Sequence, residues 1–65
     1  MPPPMWIKIK LWNRYRKALV LAATSTTVDV RVNQADRVSG MPDIFRGVPI
    51  ANVRQADRHL LEAAA

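Results

Sequence analysis

Apolar and polar residues alternate strictly near the start of the chain. Over residues 5–12, one side of an extended strand carries Ile7, Ile9 and Leu11. The opposite side carries Trp6, Lys8, Lys10 and Trp12. A period of two with β-branched and aromatic residues predicts a half-buried strand. Lysines on its open side are also what an edge strand uses to deter pairing with other chains.

A second strand is predicted around residues 28–32. Val28, Val30 and Val32 alternate there with polar residues, and Thr24 to Thr27 before them favour extended chain. The period of two places the three valines on one face. We therefore expect them to share a buried face.

Residues 14–23 allow two interpretations, because a short apolar run at 18–23 suits either a buried helix or a buried strand. In the first, a helix links the two strands, with Asn13 as its N-cap and with good helix formers along it. In the second, a strand pairs with residues 5–12 in a hairpin that turns at Asn13-Arg14. We favour the helix because of the capping residue.

The second half of the chain predicts turns and a helix. Residues 33–40 are typical of a helical turn, and residues 41–49 are rich enough in proline and glycine to predict a loop. The apolar pair Ile44-Phe45 in that loop is expected to fold back onto the core. Residues 52–64 carry the best helix signal, since Asn52 and Gln55 resemble a capping box.

Together these elements predict an α+β fold. We expect one small domain with two or three short strands and a C-terminal helix packed on them. Residues 1–4 are a proline-rich leader, and residues 5–65 form the single domain, with a basic N-terminal arm at residues 5–17.

The chain contains one internal repeat. Residues 32–37 read Val-Asn-Gln-Ala-Asp-Arg and residues 53–58 read Val-Arg-Gln-Ala-Asp-Arg, five identical positions of six, 21 residues apart. A solenoid needs roughly three or more units. The pair is therefore either a coincidence or two helix starts that use the same chemistry.

Composition narrows the possible functions. The chain has 65 residues, no cysteine and one histidine, His59, so disulfides, thiolate chemistry and most metal or catalytic clusters are excluded. We predict no catalytic residue, no metal site and no cofactor, and we interpret His59 as a surface histidine. A short chain with a core of small aliphatic residues usually needs a partner surface.

The positive charge is concentrated in the arm. The formal net charge is +5, and residues 1–28 contain no acid, whereas cations and acids balance after that point. Such asymmetry is typical of an interaction segment. The predicted partner-binding or nucleic-acid-binding residues are Trp6, Lys8, Lys10, Trp12, Arg14, Tyr15, Arg16 and Lys17.

Two functions fit this segment. The first hypothesis is a non-enzymatic accessory or structural subunit of a larger assembly, with a virion or phage as one setting, which docks on a protein partner or on further copies of itself. The alternative is a small basic DNA- or RNA-binding protein, because cations neutralise phosphates and aromatic rings stack on exposed bases. The bland interpretation is an edge strand with a solvated basic face.

A membrane role is disfavoured. The basic stretch followed by residues 18–23 resembles a secretory signal, but six apolar residues fall short of the 7–15 that such a signal needs. They are also far short of the roughly 20 that a membrane span needs. We therefore expect an intracellular or virion-associated protein.

Overall fold

The computed structural model describes residues 3–64. They form one four-stranded antiparallel sheet in which each strand pairs with the next along the chain. The strands are β1 (Trp6–Leu11), β2 (Arg14–Ala23), β3 (Thr27–Val32) and β4 (Ile44–Pro49). One α-helix, α1 (Arg58–Ala64), follows three short 3₁₀ turns at Gln34–Asp36, Ile50–Asn52 and Gln55–Asp57.

The predicted fold class is wrong. The sequence predicts two or three short strands with a C-terminal helix packed on them, whereas the sheet has four strands and the helix has only 7 residues. Two segments account for the difference. Residues 14–23 form a strand instead of the favoured helix, and the predicted loop at 41–49 contains β4. Residues 1 and 2 of the proline-rich leader lie outside the described residues, and Pro3 and Pro4 are exposed.

The predictions for β1 and β3 are confirmed. Ile7, Ile9 and Leu11 are buried along β1, and Val28, Val30 and Val32 are buried along β3. Both sets lie on the same side of the sheet, because Ala18 pairs with Ile7 on one flank and with Val32 on the other. Ala18 of β2 and Val48 of β4 complete the contribution of the sheet to the core, and Met41, Val53 and Leu61 come from the segments that cover this side. Phe45 packs against the core as expected, whereas Ile44 pairs with Arg31, whose side chain points to the opposite face.

A tight hairpin joins β1 to β2. Leu11 pairs with Arg14, so the two-residue turn is Trp12-Asn13, one position earlier than the hairpin interpretation placed it. Both turn residues have positive φ, 51° for Trp12 and 69° for Asn13. That combination is typical of the type I′ turn, whose twist matches the twist of the paired strands.

The sequence repeat is a structural repeat. We call residues 32–37 the first repeat and residues 53–58 the second repeat. Each begins with a buried valine and continues into a 3₁₀ turn over its Gln-Ala-Asp portion. The expectation of two helix starts with the same chemistry holds only in part, because the Asn52 capping box is not formed and the Asn52 side chain donates to the Lys10 carbonyl oxygen at 3.1 Å.

Both repeats bind the β1–β2 hairpin in the same way. The amide of Asn33 donates to the Lys17 carbonyl oxygen at 2.9 Å, and the Lys17 amide donates to Asp36 Oδ2 at 2.5 Å. On the other flank, the Arg54 amide donates to the Lys8 carbonyl oxygen at 2.8 Å, and the Lys8 amide donates to Asp57 Oδ2 at 2.8 Å. Ile9 also forms a β-bridge with Val53. The outer edge of β1 is therefore covered at its centre, and the hairpin is held from both sides.

Candidate nucleic-acid interface

The sheet has a second face, which the core does not cover. We call it the outer face, and its members alternate with the buried residues of β1, β2 and β3. It carries Trp6, Lys8, Lys10, Tyr15, Lys17, Leu19, Asp29, Arg31 and Ile44. The face therefore combines cations with aromatic rings on two neighbouring strands.

The structure brings most of the predicted site residues together. Trp6, Lys8 and Lys10 lie on the outer face of β1, and Tyr15 and Lys17 lie opposite them on β2. Trp12 occupies the turn at the end of the same hairpin, with half of its side chain exposed, 50%. We call Trp12 and Tyr15 the hairpin tip, since Tyr15 pairs with Lys10 close to the turn.

Two predicted residues lie elsewhere. Arg14 pairs with Leu11 and Arg16 pairs with Ile9, so both project from the core side of β2. Arg14 is exposed at the end of the hairpin, but Arg16 is buried. Its guanidinium donates to the Leu11 carbonyl oxygen at 2.9 Å and to the Asp36 carbonyl oxygen at 2.8 Å. Arg16 therefore ties the hairpin to the first repeat and cannot reach a partner.

Sequence reasoning missed Arg31. It lies on the outer face beside Leu19, in the row of the sheet that begins with Trp6, and its side chain is exposed. The signal was present, because Arg31 alternates with the buried valines of β3 and must point away from them. Charge patterning does not single it out, because cations and acids balance in number after residue 28.

The outer-face cations form no ion pair with any residue that the structure describes. The ion pairs among the described residues join Arg37 to Asp43, Arg46 to Asp29 and Arg54 to Asp57, and none of them uses an outer-face lysine or Arg31. The acid on this face is Asp29. Its carboxylate lies 3.6 Å from the Arg46 guanidinium and accepts a hydrogen bond from the Gly47 amide at 2.8 Å. The positive charge of the face is thus available to a ligand.

Lys8 and Lys17 lie directly opposite one another on this face. Like charges at opposed positions of an antiparallel pair destabilise the sheet. Asp57 and Asp36 accept hydrogen bonds from the backbone amides of Lys8 and Lys17, respectively. The repeats therefore fix the backbone of a lysine pair that works against the stability of the hairpin.

Trp6 and Lys17 interact across the strands. The Lys17 Nζ lies 5.3 Å from the centre of the Trp6 ring, which is within the range of a cation–π contact. Such contacts at exposed sites stabilise by about 0.5–1 kcal/mol. Trp6 thus holds one of the cations in place, whereas the rings at the hairpin tip have no comparable occupant among the described residues.

A shallow depression lies on the other side of the molecule. It is lined by Thr24, Ser25, Ile50, Arg58, Leu61 and Glu62. Arg58 is engaged with the carbonyl oxygens of Val53 and Ala51, and residues 3–64 contain no group of three or more His, Cys, Asp or Glu side chains placed to hold a metal ion. No helix in that described stretch is both long and apolar enough to cross a bilayer.

No family model, curated protein or solved structure matches this chain. The interpretation of the outer face therefore depends on its own chemistry.

Proposed function

We propose that this protein binds nucleic acid through the outer face of its sheet. The observation that carries the proposal is the set of four cations on that face, Lys8, Lys10, Lys17 and Arg31. They have no ion-pair partner within residues 3–64, and they are interleaved with exposed aromatic rings. This was the alternative hypothesis from sequence, and it is favoured because the cations and the rings share one accessible surface.

Charge complementarity supports a polyphosphate partner. Cations that contact phosphates release condensed counterions, so affinity falls as salt rises. The opposed lysines of the outer face repel each other in the free protein, and an anion between or beside them removes that repulsion. Binding a polyanion thus offsets a cost that the fold carries without its ligand.

The test is the salt dependence of binding to a fluorescent oligonucleotide. If each of the four cations contacts one phosphate, log K falls with log salt with a slope of about −2.8 for a single strand, at about 0.7 per contact. The double variant Lys10→Gln/Lys17→Gln should reduce the magnitude of that slope by about 1.4.

A matched control changes the charge by the same amount elsewhere. Arg54 and Arg58 are exposed and do not belong to the outer face: Arg54 is ion-paired with Asp57, and Arg58 donates to the carbonyl oxygens of Val53 and Ala51. The variant Arg54→Gln/Arg58→Gln should leave the slope nearly unchanged. Equal effects of the two double variants, or no binding at low salt, would refute the proposal.

The accessory-subunit hypothesis remains a second candidate. Leu21, next to the irregularity in the β2–β3 pairing, is 41% exposed, and an aliphatic side chain suits a protein surface better than a nucleic acid. Sedimentation of the purified chain tests self-association: a stable oligomer that Leu21→Asp dissociates would favour this candidate.

A further inference from the structure

We infer that the ligand is a single strand of RNA or DNA whose bases stack on Trp12 and Tyr15 while the lysines of the outer face hold its phosphates. This inference rests on the proposed function and narrows it to one class of nucleic acid. It also assigns separate tasks to the three exposed aromatic residues.

The rings at the hairpin tip are open to solvent. Tyr15 is 53% exposed and Trp12 is 50% exposed, the highest values among the large hydrophobic residues that the structure describes. Neither the Tyr15 hydroxyl nor the Trp12 indole N–H makes a hydrogen bond to any residue of the described range. Rings that are this exposed lack the packing contacts of a buried side chain. They are suited to stack on an unpaired base, which has two apolar faces.

The backbone of Trp12 has an unfavourable conformation. Its φ of 51° is left-handed, a conformation that bulky residues rarely adopt and in which Asn or Gly is favoured. A tryptophan in this position costs stability in the turn. That cost is understandable if the ring has a ligand, since strained positions cluster at binding sites.

Trp6 differs from the other two rings in its contacts. The ammonium of Lys17 already lies over the Trp6 ring. Trp6 therefore positions a phosphate-binding cation, and the bases stack at the tip, next to Lys10. Cations and stacking rings then follow one another along a single hairpin, as the backbone and bases of a strand require.

The structure of the hairpin argues against a double-stranded ligand. A two-stranded ribbon or a helix can enter a major groove, which is about 12 Å wide. Here the hairpin is not a free ribbon, because the first and second repeats bind it on both flanks at Lys17 and Lys8. Within the described part of the chain, the one α-helix has 7 residues and buries Leu61 in the core. In a duplex the faces of the bases are not accessible to Trp12 or Tyr15.

The experiment measures affinity by fluorescence anisotropy for four probes: a 12-nucleotide thymidine strand, a 12-nucleotide uridine strand, a 12-base-pair duplex and heparin. We expect the parent protein to bind at least one single strand more tightly than the duplex. Trp12→Leu and Tyr15→Leu should each weaken that binding by about 5- to 150-fold, the effect typical of one lost base stack.

The controls distinguish stacking from charge and from folding. The leucine variants should leave the salt slope and heparin binding unchanged, whereas Tyr15→Phe, which keeps the ring, should retain parental affinity for the single strand. Leu21→Ala, an exposed apolar change away from the tip, should also have no effect. A circular dichroism melt of each variant checks that it is folded.

Two results would overturn the inference alone: a duplex bound as tightly as the single strands, or leucine variants with parental affinity for both strands. In either case the proposed function would stand, provided that the salt slope still depends on the outer-face lysines. Failure of every nucleic-acid probe to bind would refute the proposed function itself.

Discussion

Arg14 and Arg16 are two residues apart on one strand but differ in burial and in hydrogen bonding. Arg16 is buried and donates to two carbonyl oxygens, whereas Arg14 is exposed at the end of the hairpin. Buried donors and acceptors that lose their partners are costly, so Arg16→Gln should lower the free energy of unfolding by about 3 kcal/mol. Arg14→Gln should change it by less than about 0.5 kcal/mol. Urea denaturation of both variants checks the contrast, and equal stabilities would show that the Arg16 contacts contribute nothing.

Asp57 gives the fold a dependence on pH. The hydrogen bond from the Lys8 backbone amide, helped by Arg54, holds the pKa of Asp57 below its ordinary value of 3.8, although partial desolvation opposes this shift. A carboxylate whose pKa is lower in the folded state contributes stability that is present above the unfolded-state pKa. That contribution is lost as pH falls through the folded-state pKa. Stability should therefore drop below about pH 4.

The measurement is the free energy of unfolding from pH 6 to pH 2. In Asp57→Asn the acid-dependent loss should be smaller than in the parent, because one of the groups that binds a proton on unfolding is gone. Hydrogen exchange at the Lys8 amide should report the same bond. An acid limb of parental steepness in Asp57→Asn would contradict the assignment.

At the scale of elements, the proposed function implies that the β1–β2 hairpin loses stability in its turn in order to present Trp12 to a ligand. Changing Trp12-Asn13 to Asn-Gly supplies the residues that a type I′ turn favours and relieves the left-handed tryptophan. We expect a gain of about 1 kcal/mol, which in a domain of this size raises the melting temperature by roughly 4–8 °C. The same change should weaken binding to a single strand, because a stacking ring is lost.

Thermal melts and anisotropy on the one variant test this trade. A less stable Asn-Gly variant would show that the turn is not type I′ in solution. A more stable variant with unchanged affinity would remove Trp12 from the binding site.

The elements that the sequence predicts correctly are those with two-residue periodicity. β1 and β3 alternate cleanly, so their faces could be assigned, and the outer positions of Trp6 and the lysines followed directly. β2 could not be distinguished from a helix, and the strand interpretation stayed the less favoured one, because Arg16 occupies a core position and the apolar run at 18–23 hides the alternation.

The C-terminal segment misled for a different physical reason. Its helical spacing is real from Arg58 onward, but the second repeat, which begins at Val53, is held in bridge and 3₁₀ conformations by its hydrogen bonds to β1. Tertiary contacts outweigh local propensity there. The two repeats could be recognised from their sequence identity. Their shared structural role depends on strand pairing, which no local sequence pattern reveals.

At the scale of the whole molecule, the two faces of the sheet differ in burial and in charge. Among the residues that the structure describes, eleven buried hydrophobic residues form the core on one side. Every strand contributes at least one of them, and the segments that cover the sheet contribute the others. The other side carries the outer-face cations, which have no ion pair among residues 3–64, and the exposed aromatic rings. Because the core extends across all four strands, we expect the isolated chain to unfold cooperatively, with strand-type circular dichroism.

The most direct test of the account is a titration of the ¹⁵N-labelled protein with a 12-nucleotide thymidine strand, followed by NMR. We expect the largest chemical-shift changes at the indole N–H of Trp12 and at the backbone amides of Lys10, Tyr15 and Lys17. The signals of α1 and of the depression beside Thr24 should stay in place. Shifts confined to α1 and that depression, or no shifts at low salt, would contradict the claim that the outer face of the sheet binds nucleic acid.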